Sequence, residues 1–313
     1  MHLLVPFAVD DSEDCRRVLG GLALPNLERL LALLAAEARD EGDATSLSPP
    51  HERALAAARR WHGRDGLLPF AAHAAAADGI ATGTQAWALL TPSHWLLASD
   101  GATLLDPADL ALDEHDSRAL FASAGELFAS EGFEVAWGSA ERWYAARDDL
   151  EELATASLDR VVGRSVERWL RPRAGAPRAT AALVRRLQSE AQLVFHAHEV
   201  NERREERGAL VVNSFWLSGC GRRQPADDAD APEVAAALRA PLLAGDWGAW
   251  TAAWRALDAG AIARWLAAAR AGTAVTLTLC GERSAARFAL QPRTLWHRLR
   301  GTRVAARDVL ASL

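Results

Sequence analysis

RLQSEAQLVFHAHEVNERREERGALVVNSFWLSGCG, residues 186–221, opens with a helical pattern and closes with a strand-like one. At about 100° per residue, Leu183, Leu187, Ala191, Val194 and His198 fall on one helical face with Glu190 at its edge, so an acid and a histidine border an apolar stripe. The pattern predicts one long helix from Thr180 to about Arg207 and a strand over Leu210 to Leu217. Asn201, Arg203, Arg204 and Arg207 follow the histidine closely, and Gly208, Asn213 and a Gly219-Cys220-Gly221 turn come next. Two readings stand side by side. Glu190 and His198 are a satisfied, partly buried pair, or the amides, guanidiniums and glycine-rich turn together hold an oxyanion. Metal chelation fails on geometry, because His196 and His198 point about 200° apart on a helix and His198-Glu-Val-Asn-Glu202 is not HExxH. The Gly-x-Gly lacks the third glycine of a dinucleotide fingerprint, no GxSxG elbow occurs, and Cys220 has no assigned base.

Working outward, Leu3 to Val9 suits a buried strand, and Asn26 is a plausible N-cap for a helix running through Leu34. Further helices are expected over His51 to Trp61, Leu68 to Ala77 and Asp113 to Ser130. Gln85 to Ala98, the Asp100-Gly101 turn and the run from Thr103 form a hairpin signature, and Phe133 to Trp137 with Arg142 to Ala146 a strand pair. Arg171 to Pro177 and Gln224 to Pro232 are the linker-like stretches. Beyond them come a Trp-rich helix over Trp247 to Ala271, a strand over Ala274 to Cys280 and two short closing helices. Trp250, Trp254 and Trp265 recur at helical spacing, which marks packing rather than a ligand box.

Composition removes several chemistries. All 35 basic residues of the 313 are arginine, so a Walker-A lysine and a Schiff-base lysine are both absent. A net charge of −6 with dispersed arginines argues against a nucleic-acid partner. Three distant cysteines and nine scattered histidines form no recognised metal-ligand spacing or disulfide framework. A short, acid-interrupted N-terminal run and a polar-interrupted Gly79 to Ser99 stretch point to no signal peptide and no membrane partner, hence a cytoplasmic protein.

The block around His198 resembles a known family. His198-x-x-Asn201-x-x-Arg204-x-x-x-Gly208, then Asn213 and Gly-x-Gly, is similar to HPVNxxRxxxG…AN…GxG of archaeal-type cofactor-independent phosphoglycerate mutases of the alkaline phosphatase-like superfamily. Asp78-Gly79-Ile80, Ser99-Asp100-Gly101 with Leu105-Asp106, Arg142-Trp-Tyr144 and Ser157-Leu-Asp159-Arg-Val-Val-Gly163 occur in the family's order. Closer still are bacterial regulatory proteins of the RpfE type, whose LQxExQ…HPVNxxR…VNSFWxSGxG is followed from Arg186 to Gly219, with Glu199 replacing the proline. The remaining half departs from the family. Its first strand ends Pro6-Phe7-Ala8 with Asp10 and Asp11 beyond, Thr45 to Ser48 occupies the nucleophile's region, and after His198 only His297 remains.

The resemblance implies an α/β fold, a degenerate alkaline-phosphatase-like core formed by 1–77 and 225–313, with an inserted α+β domain over 78–224. It further implies a phosphoglycerate-mutase-like protein that binds a small phosphorylated or carboxylated metabolite and serves a regulatory role, while the departing residues argue against a metal or other cofactor and against metal-dependent mutase activity. Glu190, His198, Asn201, Arg204 and Asn213 are expected to converge on that anion in one pocket where insert and core meet, with Arg207 solvated. No catalytic residue, ligand identity or oligomeric state follows from the sequence. An active mutase with an atypical site and a protein-interaction scaffold are the alternatives.

Overall fold

The computed structural model of the protein describes residues 1–99, 101–171, 177–225, 231–290 and 304–313. Asp100, His297 and most of the two linker-like stretches lie outside the described residues. In chain order the strands are β1 His2–Val5, β2 Leu34–Glu41, β3 Ala86–Ser93, β4 Trp95–Ala98, β5 Gly101–Leu104, β6 Glu134–Ser139, β7 Arg142–Ala146, β8 Ser214–Arg222, β9 Glu233–Val234, β10 Thr276–Cys280 and β11 Ser284–Leu290. The chain is mixed α/β and divides into two compact units, Met1–Arg60 with Ala226–Leu313, and Trp61–Pro225. The second unit begins upstream of the expected edge at 78 because the Phe70–Ala77 helix packs on β3 and β8. No helix among the described residues is long and apolar enough to cross a membrane.

The first unit is built on a mixed sheet ordered β2-β11-β10-β1-β9, in which β1 runs parallel to β9 and β10 while β11 is antiparallel to both its neighbours. Alternation sorts the side chains. Leu3, Val5, Leu277 and Leu279 join a core with Leu27, Leu30, Trp250, Trp254 and Trp265, whereas Leu4 and Cys280 face Ala54 and Leu55 on the opposite side. Two strands differ from the sequence expectation. The helix at 25–31 stops short, and Leu34–Glu41 is an exposed edge strand whose charged residues show no apolar alternation; Ser284–Leu290 is a strand that the sequence reading did not place, and one closing helix is found at Ala306–Ala311.

The Trp-rich segment is helical over Trp247–Leu257 and Ala263–Arg270, joined through a π-turn at Asp258–Ile262. Asp258, buried at this turn, accepts hydrogen bonds from the backbone N–H of Leu27 at 2.7 Å and of Asn26 at 3.2 Å. It thereby caps the Pro25–Leu31 helix from outside. Asn26, expected as the cap itself, lies inside the helix and donates its amide to the Asp258 carbonyl at 3.1 Å.

The second unit has an antiparallel sheet ordered β6-β7-β3-β8 and a separate β4–β5 hairpin. The Glu114–Ser130 helix, capped by Asp113, and the Arg178–His196 helix cover one face through Leu120, Phe128, Leu187, Phe195, Trp143 and Phe215. The Phe70–Ala77 helix covers Trp87, Tyr144 and Ala146 on the other face. Gly219 and Gly221 do not form a turn. They belong to β8 with φ of 68° and 152°, and a Cβ at Gly219 would meet the Ala71 nitrogen at 2.9 Å. Glycine is required there because helix and strand backbones touch.

Asp258→Ala is expected to destabilise the first unit by about 1–3 kcal/mol, the cost of orphaned buried N–H groups, and Asp258→Asn by less, since an acceptor is retained. Urea unfolding of both variants measures this.

Candidate functional site

The helix expected to run unbroken to Arg207 ends at His196, and a second one, Glu199–Glu206, follows. The break is at His198, whose backbone is extended and whose Nδ1 accepts the Val200 N–H at 3.1 Å, so the imidazole is an N-cap. Glu190 and His198 therefore do not share one continuous helix face. Glu190 stays on the long helix beside Arg186, at 3.5 Å, and Arg186 also pairs with Glu131 at 2.7 Å.

The other three residues close around the segment before β8. Asn201 donates to the carbonyls of Phe195 at 2.8 Å and Val212 at 2.7 Å, and its Oδ1 accepts the Val212 N–H at 3.0 Å. Arg204, 1% exposed, donates from Nε to the Leu210 carbonyl at 2.8 Å and from Nη2 to the Leu110 carbonyl. Asn213 pairs with the backbone of Trp95, accepting its N–H at 2.7 Å and donating to its carbonyl at 2.9 Å. The structure thus gathers His198, Asn201, Arg204 and Asn213 around one loop and leaves Glu190 apart. The donors of Asn201 and two nitrogens of Arg204 are committed to main chain.

Asp116 explains the arginines. Its carboxylate, 5% exposed at the start of the Glu114–Ser130 helix, lies 2.8 Å from Arg207, 3.3 Å from Arg203 and 3.7 Å from Arg204. Arg207, expected to be solvated, is half-exposed and ion-paired. Burial pushes the Asp116 carboxyl up, but hydrogen bonds from Arg207 and Arg203 outweigh this and hold it below the ordinary range. Asp113, His115 and Asp116 present ligand atoms within 4.8 Å of one another, yet the guanidiniums on Asp116 oppose a bound cation. Two motif fragments distant in sequence also meet: Arg142 forks onto Asp78 at 2.7 and 2.9 Å, and the Tyr144 hydroxyl donates to the same carboxylate at 2.7 Å. The Arg142 hydrogen bonds lower the Asp78 carboxyl despite its burial.

In the first unit, β2 is antiparallel to β11 and β11 to β10, so β1, β10 and β2 run the same way and Val5, Cys280 and Glu41 end on one edge. Such carboxyl edges are where α/β sheets bind ligands. Phe7 turns there with a φ of 55°, a conformation costing about 1–3 kcal/mol, and its carbonyl and that of Ala8 accept the Trp250 and Trp254 indole N–H groups, each at 3.2 Å. Asp10 accepts the Ser12 N–H and hydroxyl at 2.9 and 2.6 Å, Asp11 pairs with Arg283 at 2.5 Å, and Asp40 with Arg53 at 2.7 Å. Asp43 accepts the Thr45 hydroxyl and N–H, both at 2.6 Å, which hold its carboxyl down at about 2. The His51 ring lies 4.9 Å from that of Phe7.

These carboxylates do not fit the two-metal centre of the mutases that the sequence resembles. Asp11 and Asp40 are neutralised by arginines, Asp10 and Asp43 are folded onto their own turns, and Phe7 offers no ligand atom. Sequence reasoning missed His51, Arg53 and Arg283 at this edge. Only recognition of the β10–β11 hairpin would have brought Arg283 to it. Cys220 and Cys280 are buried, and burial pushes the Cys220 thiol up to about 12, so it is no nucleophile near neutral pH.

No protein-family model and no curated protein matches the chain. Among solved structures, the cofactor-independent phosphoglycerate mutase from Thermoplasma acidophilum is similar with 13% identity and a TM-score of 0.38, over 99% of this chain and 95% of that one. The PH0037 protein from Pyrococcus horikoshii is similar with 12% identity and a TM-score of 0.44, over 92% of this chain and 87% of that one.

Asn201→Ala is expected to destabilise the second unit by at least about 2 kcal/mol, because it orphans several buried main-chain groups at about 1–3 kcal/mol each. Glu190→Ala is expected to stay within about 0.5 kcal/mol; denaturant unfolding separates them. Because Asp78 and Asp116 have folded-state values below their unfolded ones, their contribution is complete above about pH 4 and is lost as pH falls further. Asp116→Asn should flatten that acid limb in a pH series of melting temperatures.

Proposed function

We propose that this chain is a phosphoglycerate-mutase-like protein that recognises a small phosphorylated or carboxylated metabolite, serves a regulatory role and lacks metal-dependent mutase turnover. The observation that carries this reading is the state of the carboxylates at the β1–β10–β2 edge. Where two metals would need free acidic ligands, Asp11 and Asp40 are paired with Arg283 and Arg53. An edge that has exchanged cations for guanidiniums suits an anion. Arg283 meets Asp11 through Nε alone, and both side chains are half-exposed, so an incoming carboxylate or phosphate can replace Asp11 and engage the guanidinium bidentately. The block around His198, by the same reading, is retained for its hold on the main chain.

One observation favours a second reading, an active mutase with an atypical site. Thr45, in the stretch of chain where the resembled mutases carry their nucleophile, holds its hydroxyl 2.6 Å from the Asp43 carboxylate.

Protein free of host mutase, assayed on 3-phosphoglycerate with and without manganese, is expected to show no turnover, and elemental analysis no stoichiometric metal. 3-Phosphoglycerate should raise the melting temperature in proportion to its binding, and Arg283→Ala should abolish that rise. Manganese-dependent turnover lost in Thr45→Ala would establish the second reading instead.

A further inference from the structure

A cavity of about 60 Å³ lies within the second unit. Ala181, Val184, Arg185 and Gln188 line it from the Arg178–His196 helix, the spacing that puts them on one helical stripe. Trp169, Leu170, Leu153 and Trp216 form the facing walls, and the Trp216 indole is fixed by its hydrogen bond to the Ala156 carbonyl at 2.9 Å. The volume holds about four to six water-sized groups.

Three polar side chains mark this apolar space. Gln188 is 5% exposed, and its Nε2 donates to the Phe215 carbonyl at 3.3 Å. That bond settles the orientation of the amide and leaves Oε1 as an acceptor with no protein partner among the described residues. Arg171 and Arg185 also line the cavity, and neither guanidinium has an ion pair or hydrogen bond among the described residues. Elsewhere in the unit Arg142, Arg147, Arg203, Arg207 and Arg222 are paired, and Arg64, Arg178 and Arg223, unpaired among the described residues, do not line this cavity. Two unmatched cations and the free acceptor of a buried amide thus line a small apolar pocket.

We propose that this cavity binds a small aliphatic hydroxy-carboxylate. Arg171 and Arg185 hold the carboxylate, the hydroxyl donates to Gln188 Oε1, and the aliphatic remainder packs on Trp169 and Trp216. The carboxylate answers the unmatched charges, and the hydroxyl satisfies an acceptor that a plain fatty acid would desolvate and leave unpaired.

The full chain, labelled at its indole nitrogens with Trp169 and Trp216 assigned by Phe substitution, is titrated with 2-hydroxyisovalerate, isovalerate and 3-methylbutan-1-ol. The hydroxy acid is expected to shift both indole signals saturably, isovalerate to bind at least fivefold more weakly, and the alcohol not to saturate. Arg171→Ala with Arg185→Ala, both at exposed positions, should weaken the hydroxy acid at least tenfold with an unchanged melting temperature. Gln188→Leu should erase its advantage over isovalerate. Absence of a saturable shift, undiminished binding by the double arginine variant, or a hydroxyl preference that survives in Gln188→Leu overturns the proposal. The Arg283 variant reports on the other unit, so the two readings fail independently.

Discussion

Main chain that enters a core outside helix and strand must still find a partner for every N–H and C=O, and in the second unit residues 210–213 pose that problem most sharply. Val212 is wholly buried there without a strand neighbour. Asn201 supplies the missing neighbour as a side chain, meeting both polar groups of Val212, and Arg204 takes the Leu210 carbonyl. Asn213 repeats the device toward Trp95, while its own N–H reaches the Ser93 carbonyl at 3.1 Å. The β3–β8 pairing starts at the next position, Ser93 opposite Ser214. The register of the central strand pair, and through it the placement of both helix layers, depends on this latch.

A chain whose every basic residue is arginine uses the guanidinium as a structural connector. Arg142 forks onto Asp78, Arg147 onto Asp149 at 2.6 Å through each of two nitrogens, and three arginines converge on Asp116. Planar, multi-donor geometry makes this possible where a lysine would act as a point charge. The count of basic residues therefore overstates the surface open to anions. Arginines without partners, as at the cavity beside Gln188, carry more information than arginines in general.

Much of the secondary structure was legible in the chain. The helix ending at Ser130, the β6–β7 pair and the Trp-rich helix follow from periodicity and turn chemistry. β2 and β11 were not legible, because an edge strand facing solvent carries no alternating apolar signal and each is stabilised by pairing with a distant partner. The break at His198 was hidden for a related reason. Leu187, Ala191 and Phe195 keep an apolar rhythm up to it, and the imidazole that accepts the Val200 N–H starts a new helix instead of continuing the old one.

By itself the sequence determined the alternation of α and β segments, the discontinuous layout, the Trp-rich core and the grouping of His198, Asn201, Arg204 and Asn213 along a short stretch of chain. Tertiary structure alone decided what those groups touch. Hydrogen-bonding capacity is a property of the residue, but whether it meets a ligand or a carbonyl depends on which main-chain atoms are desolvated beside it. Here Leu110 and Leu210 come to Arg204, and Val212 to Asn201, through packing across the unit. The same holds for Arg283, which reaches Asp11 because two strands far apart in the chain end side by side in one sheet.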